Sequence, residues 1–195
     1  MNSRRRSGFT LVEMCIVLGL MGIIFYKLSL VMTQAQEVGQ RETASIALED
    51  RAAVVLNRIA YAVIGCDAST LTPDNPVPFG PNRLEFKLSL GVENNQIIWG
   101  DPEVIGLADD ASQLFWGRNV ESAEEQIVVW CRTVAEYYSS ETANGLDDNA
   151  NGITDESGLC FAIEGDSVTI FLTLEQIIDD KPVRFTKSTV VTCRN

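Results

Sequence analysis

The chain has 195 residues, enough for one ordinary domain plus an extra segment, and its 46% hydrophobic and 22% charged residues exclude both a disordered chain and a multi-span membrane protein. Fifteen Lys and Arg against 27 Asp and Glu give a net charge of −12, and because Arg4, Arg5 and Arg6 stand at the start, everything after Ser7 carries 12 − 27 = −15; no nucleic-acid partner is expected, since phosphate binding needs a basic face. The absence of His removes the usual general base, most zinc sites and every His-based triad, so no enzyme is expected.

The first element is apolar. After the basic stub MNSRRRSG (residues 1–8) comes FTLVEMCIVLGLMGIIFY (residues 9–26), in which Glu13 is the one charge; beyond Lys27, the side chains of Leu28, Leu30, Val31 and Met32 continue the run. A bilayer needs about 20 apolar residues, and residues 9–32 supply 24. The arginine cluster is expected to stay cytoplasmic and send the rest of the chain across. Three readings compete. A cleaved secretory signal has only the faint small-x-small site Thr33-Gln34-Ala35, and the run is long for that role. A plain signal anchor leaves Glu13 without a purpose. The third reading makes Glu13 functional, because a lone carboxylate in a membrane span is expensive and calls for a partner.

Gly8-Phe9-Thr10-Leu11-Val12-Glu13 resembles the processing and assembly signal of type IV prepilins, the pilin and pseudopilin family. The resemblance implies that a membrane prepilin peptidase cuts between Gly8 and Phe9 and methylates Phe9, leaving Glu13 as the fifth residue of the mature chain. It further implies that Glu13 of an incoming subunit meets the free amine at Phe9 of a neighbour, so that a buried cation and a buried carboxylate compensate one another and set the axial register. Partners would be the peptidase and other pilin or pseudopilin subunits. The protein would be a single-pass inner-membrane protein with a cytoplasmic leader and a head that is periplasmic, or extracellular in a filament. One departure is that no Pro lies between Phe9 and Leu71, whereas major pilins usually carry one partway along the anchor helix; Gly19 and Gly22 are the soft points of the run.

From Thr33 onward the same helix is predicted to continue to a stop at Gly65, with Leu48, Ala52, Val55, Ile59 and Val63 as its apolar stripe. As one helix, the 57 residues 9–65 would run about 85 Å at 1.5 Å per residue. The expected organisation is a leader (residues 1–8), a membrane and assembly helix (9–32), an amphipathic helix (33–66) and a head (67–195). Residues 70–82, with four Pro and one Gly, read as a loop. Strands are predicted at 83–90, 96–99, 103–107, 113–116, 127–134, 159–163, 167–174 and 183–192, with turns at 91–95, 165–166 and 179–182. The fold class is therefore α+β, a long N-terminal helix packed on an antiparallel β-rich head, which is also what resemblance to pilins implies.

Within the head, the insert 136–158 holds six acidic and no basic residues. Asp147, Asn149 and Asn151 followed by Gly152 match the opening of an EF-hand loop, in which alternate oxygen side chains face one cation and the carbonyl of Ile153 takes the next vertex. The expected twelfth-position Glu is Gly158, so Asp155 and Glu156 would have to close the site. The pattern resembles the short Asp/Asn-Gly-x-x-Asp-Glu calcium loops of secreted bacterial proteins. It implies structural Ca²⁺ bound at about 10⁻⁴–10⁻³ M; a solvated Asn/Gly turn without metal is the other reading.

Of the five Cys, Cys15 lies in the apolar run. Cys66, Cys131, Cys160 and Cys193 allow three pairings; Cys131–Cys160 would clip the base of the insert, and Cys66–Cys193 would tie the helix end to the C-terminus. Reduced, buried thiols are the alternative. The expected function is a structural subunit, a minor one, of a type IV pilus or type II secretion pseudopilus. The insert-bearing β head and the closing TVVTCRN resemble J-type pseudopilins and W-type minor pilins. A membrane-anchored calcium-binding or adhesive module that never polymerises is the rival.

Overall fold

In a computed structural model of the chain, residues 10–72, 80–120 and 122–193 are described. The chain divides into two compact units, Met1–Thr43 and Ala44–Asn195; a single helix, α1 (Leu11–Ile64), contributes to both. The division falls inside the predicted amphipathic stretch 33–66. The reason is composition: after Thr33 the helix is polar, and Ala44 is its first buried residue.

In the first unit the apolar side chains of α1 from Leu11 to Met32 are exposed, and the helix is long and apolar enough to cross a membrane. An apolar surface of this length, uncovered by the described residues, is what lipid would solvate.

In the second unit α1 supplies Ala44, Leu48, Ala52, Val55, Leu56, Ile59 and Val63 to the core, so the whole predicted stripe is buried. The helix does not end on a left-handed glycine. The N–H groups of Gly65 and Cys66 donate to the carbonyls of Ala62 and Val63, each at 3.2 Å, tightening the last turn; a Cβ on Gly65 would stand 3.1 Å from Leu88 Cδ2. A short 3₁₀ turn (Ala68–Thr70), N-capped by Asp67, follows.

Two antiparallel meanders complete the unit. One has the order β1 (Arg83–Glu93), β2 (Gln96–Leu107), β3 (Leu114–Arg118), β4 (Gln126–Cys131); the other is β5 (Leu159–Glu164), β6 (Ser167–Ile178), β7 (Lys181–Thr192). Leu84, Phe86, Ile105 and Leu114 from the first sheet and Leu159, Phe161, Val168, Ile170, Leu172 and Leu174 from the second meet the helix stripe in one core. The α+β architecture is as expected; several boundaries differ. The two strands predicted at 96–99 and 103–107 are one, because register shifts between Lys87 and Gly91 in β1 accommodate the Gly100-Asp101-Pro102 step opposite. The strand predicted at 127–134 stops at Cys131, leaving Val134 as an isolated bridge to Leu174 in the other sheet. The turns at 91–95 and 179–182 shrink to Asn94-Asn95 and Asp179-Asp180, all four with positive φ. That is the two-residue hairpin geometry whose twist matches its strands. Pro182 consequently lies within β7, an edge strand, where a missing N–H is tolerated.

Candidate functional site

At the start of α1, Gly8 and Phe9 lie outside the described residues. Glu13 is described, and it occupies the third helical position with Thr10 as the N-cap. The Glu13 carboxylate accepts from the Thr10 N–H at 2.8 Å and from the Thr10 hydroxyl at 2.9 Å. In return Thr10 Oγ1 accepts from the Glu13 N–H at 3.3 Å. This is a capping box, which satisfies two otherwise orphaned helix N–H groups. The Thr-x-x-Glu spacing signals it in the sequence, so Glu13, expected to serve assembly, also serves its own helix. Cys15, two residues on, is exposed among the apolar side chains.

The acidic insert folds as a set of side-chain-to-backbone turns. Asp147 accepts from the N–H groups of Asn151 at 3.2 Å and Gly152 at 2.8 Å. Asn149 Oδ1 accepts from the Asn151 N–H at 3.0 Å, and Asn151 Oδ1 from the Ile153 N–H at 2.9 Å. Gly152 has φ 89°, the sharp turn its position in the motif calls for. Glu156 is 1% exposed and receives the side-chain amides of Asn149, at 3.3 Å, and Asn151. Burial pushes the Glu156 carboxyl above the usual range, against the pull of those amides, and Glu141 adds to the rise. The structure thus links Asp147, Asn149, Asn151 and Glu156 in one hydrogen-bonded loop, with the Ile153 N–H on Asn151. It does not add Asp155, whose carboxylate turns away to the N–H groups of Asn144 and Gly145 at 3.0 Å each.

Glu141 is the residue the sequence reading missed. It is 2% exposed and accepts from the N–H groups of Asn149 at 2.9 Å and Asp155 at 3.2 Å, pinning both ends of the motif. An acidic residue six positions before Asp147 has no place in the EF-hand pattern, so spacing alone gives no signal for it. Gly158, in place of the twelfth-position Glu, has a steric cause: a Cβ there would overlap the carbonyl of Ala135. Among the described residues no group of three or more His, Cys, Asp or Glu side chains is placed to hold a metal.

The four head cysteines are thiols. Cys66 and Cys193 meet, Sγ to Sγ, at 3.6 Å. Cys131 and Cys160 do not: Cys131 Sγ lies 3.4 Å from Thr133 Oγ1 at the end of β4, and Cys160 Sγ lies 3.9 Å from the Phe161 carbonyl in the other sheet. Backbone bonds clip the base of the insert instead, from the Tyr138 N–H to the Glu156 carbonyl at 2.9 Å and from the Gly158 N–H to the Glu136 carbonyl at 3.1 Å. No protein-family profile, curated protein or solved structure matches the chain.

Proposed function

We propose that the chain is a prepilin-like subunit, cut between Gly8 and Phe9 and assembled through α1 into a pilus or pseudopilus, without catalytic activity. The observation that carries this reading is a membrane-length helix of exposed apolar side chains with one carboxylate, Glu13, in its first turn. An exposed helix of that kind has two natural environments, lipid and a bundle of like helices, and one acid at a fixed depth supplies the register for the second. Processing leaves an ammonium at Phe9, four residues before Glu13. The arginines of the leader keep the cut site cytoplasmic and the head on the far side.

The capping box favours a second reading, an anchored module that does not polymerise, since Glu13 already has partners within its own helix. Two variants separate the readings. Gln at the third helical position still caps but cannot neutralise an ammonium. For a filament subunit, Glu13→Gln and Glu13→Ala both lose incorporation, measured by co-sedimentation with sheared filaments or cross-linking to neighbouring subunits. Parent-like incorporation of Glu13→Gln overturns the assembly reading. Mass spectrometry of the native protein should find N-methylated Phe9 as its first residue.

Ca²⁺ in the insert is part of the proposal. What supports it is the Asp147, Asn149, Asn151, Ile153 and Glu156 donor set with two buried carboxylates, Glu141 and Glu156, and no cation in the segment. Its role would be to neutralise those carboxylates and stiffen the loop. Millimolar CaCl2 should raise the Tm by a few degrees and equal MgCl2 should not; Asp147→Asn should abolish the difference.

A further inference from the structure

We propose that Cys66 and Cys193 become a disulfide that fastens the C-terminal end of α1 to the end of β7, while Cys131 and Cys160 remain thiols. The Cys66 and Cys193 Sγ atoms are 3.6 Å apart, and the residues are 1% and 5% exposed. Both are held by their backbones. The Cys66 N–H donates to Val63 at 3.2 Å and Cys66 bridges to Leu88, while the Cys193 N–H donates to the Asp166 carbonyl at 2.8 Å. Two fixed backbones therefore present their thiols to one another, and the sulfurs, 3.6 Å apart, need to close by about 1.5 Å to reach disulfide length. Each of the other two thiols has its own neighbours. Cys131 is beside Thr133. Cys160 is closed in by the backbone at Gly80, where even a Cβ would overlap its sulfur.

The consequence is mechanical as well as thermodynamic. The two cysteines are 127 positions apart, so the link closes almost the entire second unit into one covalent loop and restricts its unfolded chain over that length. It also ties the last turn of α1 to the strand at the opposite end of the sequence. A pull on the end of that helix would reach β7 through a covalent bond rather than through packing alone.

The oxidant is a disulfide, small-molecule or protein-borne. One thiolate of the pair attacks it, forming a mixed disulfide and releasing one oxidant thiol. The second thiolate attacks the protein sulfur of the mixed disulfide, forms the Cys66–Cys193 bond and releases the other oxidant thiol, so two protons and two electrons pass from the protein to the oxidant. Both thiols are buried, which shields the folded, reduced pair from an incoming disulfide, and the same burial raises the Cys66 and Cys193 thiols and so lowers their thiolate fraction. Oxidation accordingly belongs to the folding stage.

The full-length chain in detergent, unfolded and reduced, is refolded with oxidised glutathione, its free thiols are alkylated, and it is digested with trypsin without reduction. Cys66, Cys131, Cys160 and Cys193 fall in separate tryptic peptides, 59–83, 119–132, 133–184 and 188–194. The expected result is 59–83 linked to 188–194, with the other two peptides alkylated. Recovery of 59–83 and 188–194 as separate alkylated peptides, or of 59–83 linked to 119–132 or 133–184, overturns the proposal. Reduction should lower the Tm of the linked protein by roughly 10 °C and leave a Cys66→Ser/Cys193→Ser protein unmoved; equal Tm with and without reductant in the parent also overturns it. Neither measurement involves Glu13 or assembly, so the outcome is independent of the filament reading.

Discussion

Glu13, Glu156 and Cys66 are each defined by what surrounds one side chain. For Glu13 the surroundings are Thr10, three residues away, and the proposed assembly would move the same carboxylate from its own helix to a neighbour's amine. Glu156 and Glu141 are acids inside a protein of net charge −12, and they remain there because amide N–H groups of the same loop meet them. The thiols make the pH behaviour testable. Burial raises Cys66 from 9.0 to about 12, and burial with the nearby Glu156 charge raises Cys160 equally. With folded values raised, their contribution to stability is fully present below pH 9. It is lost as pH rises toward 12, because the unfolded thiols ionise first, by about 1.4 kcal/mol per pH unit for each thiol. Under reducing conditions, Cys66→Ser should therefore show a shallower fall in urea midpoint between pH 9 and 11 than the parent; parallel curves would contradict the assignment.

Among the elements, the hairpins and the base of the insert are set by backbone conformation. Asn94-Asn95 and Asp179-Asp180 turn β1 into β2 and β6 into β7 with positive φ at both positions, which Asn and Asp tolerate better than most residues. Alternation in β1 continues past the point where anything covers it. Leu84 and Phe86 are core, but Leu90 is 71% exposed, because α1 and the second sheet back only the first part of the strand. Gly158 is the tightest point: its N–H and carbonyl join Glu136 and Thr173, and no side chain fits against Ala135. Gly158→Ala should destabilise the second unit by about 3 kcal/mol through overpacking, seen as a lower urea midpoint with unchanged m-value. A change below 0.5 kcal/mol would mean that the insert is not anchored there.

For the molecule as a whole, the division at Thr43/Ala44 separates a helical stretch left uncovered by the described residues from a core built by helix and sheets. Leu20→Arg, in the exposed apolar run, should cost about 2.5–3.5 kcal/mol of membrane insertion and shift the protein from the carbonate-resistant membrane pellet toward the supernatant; unchanged pelleting would argue against a lipid-facing helix. The sequence by itself determined the apolar run, the stripe from Leu48 to Val63, the two-residue alternation of β6 and the Asx-rich turn after Asp147, because each depends on neighbours within a few residues. Only the tertiary structure decided that 96–107 is one strand, that Glu141 closes the insert, that Gly158 must lack a side chain, and that Cys66 meets Cys193 rather than Cys131 or Cys160. Those outcomes depend on which distant segments share a core, and no local periodicity encodes a contact between residues 127 positions apart.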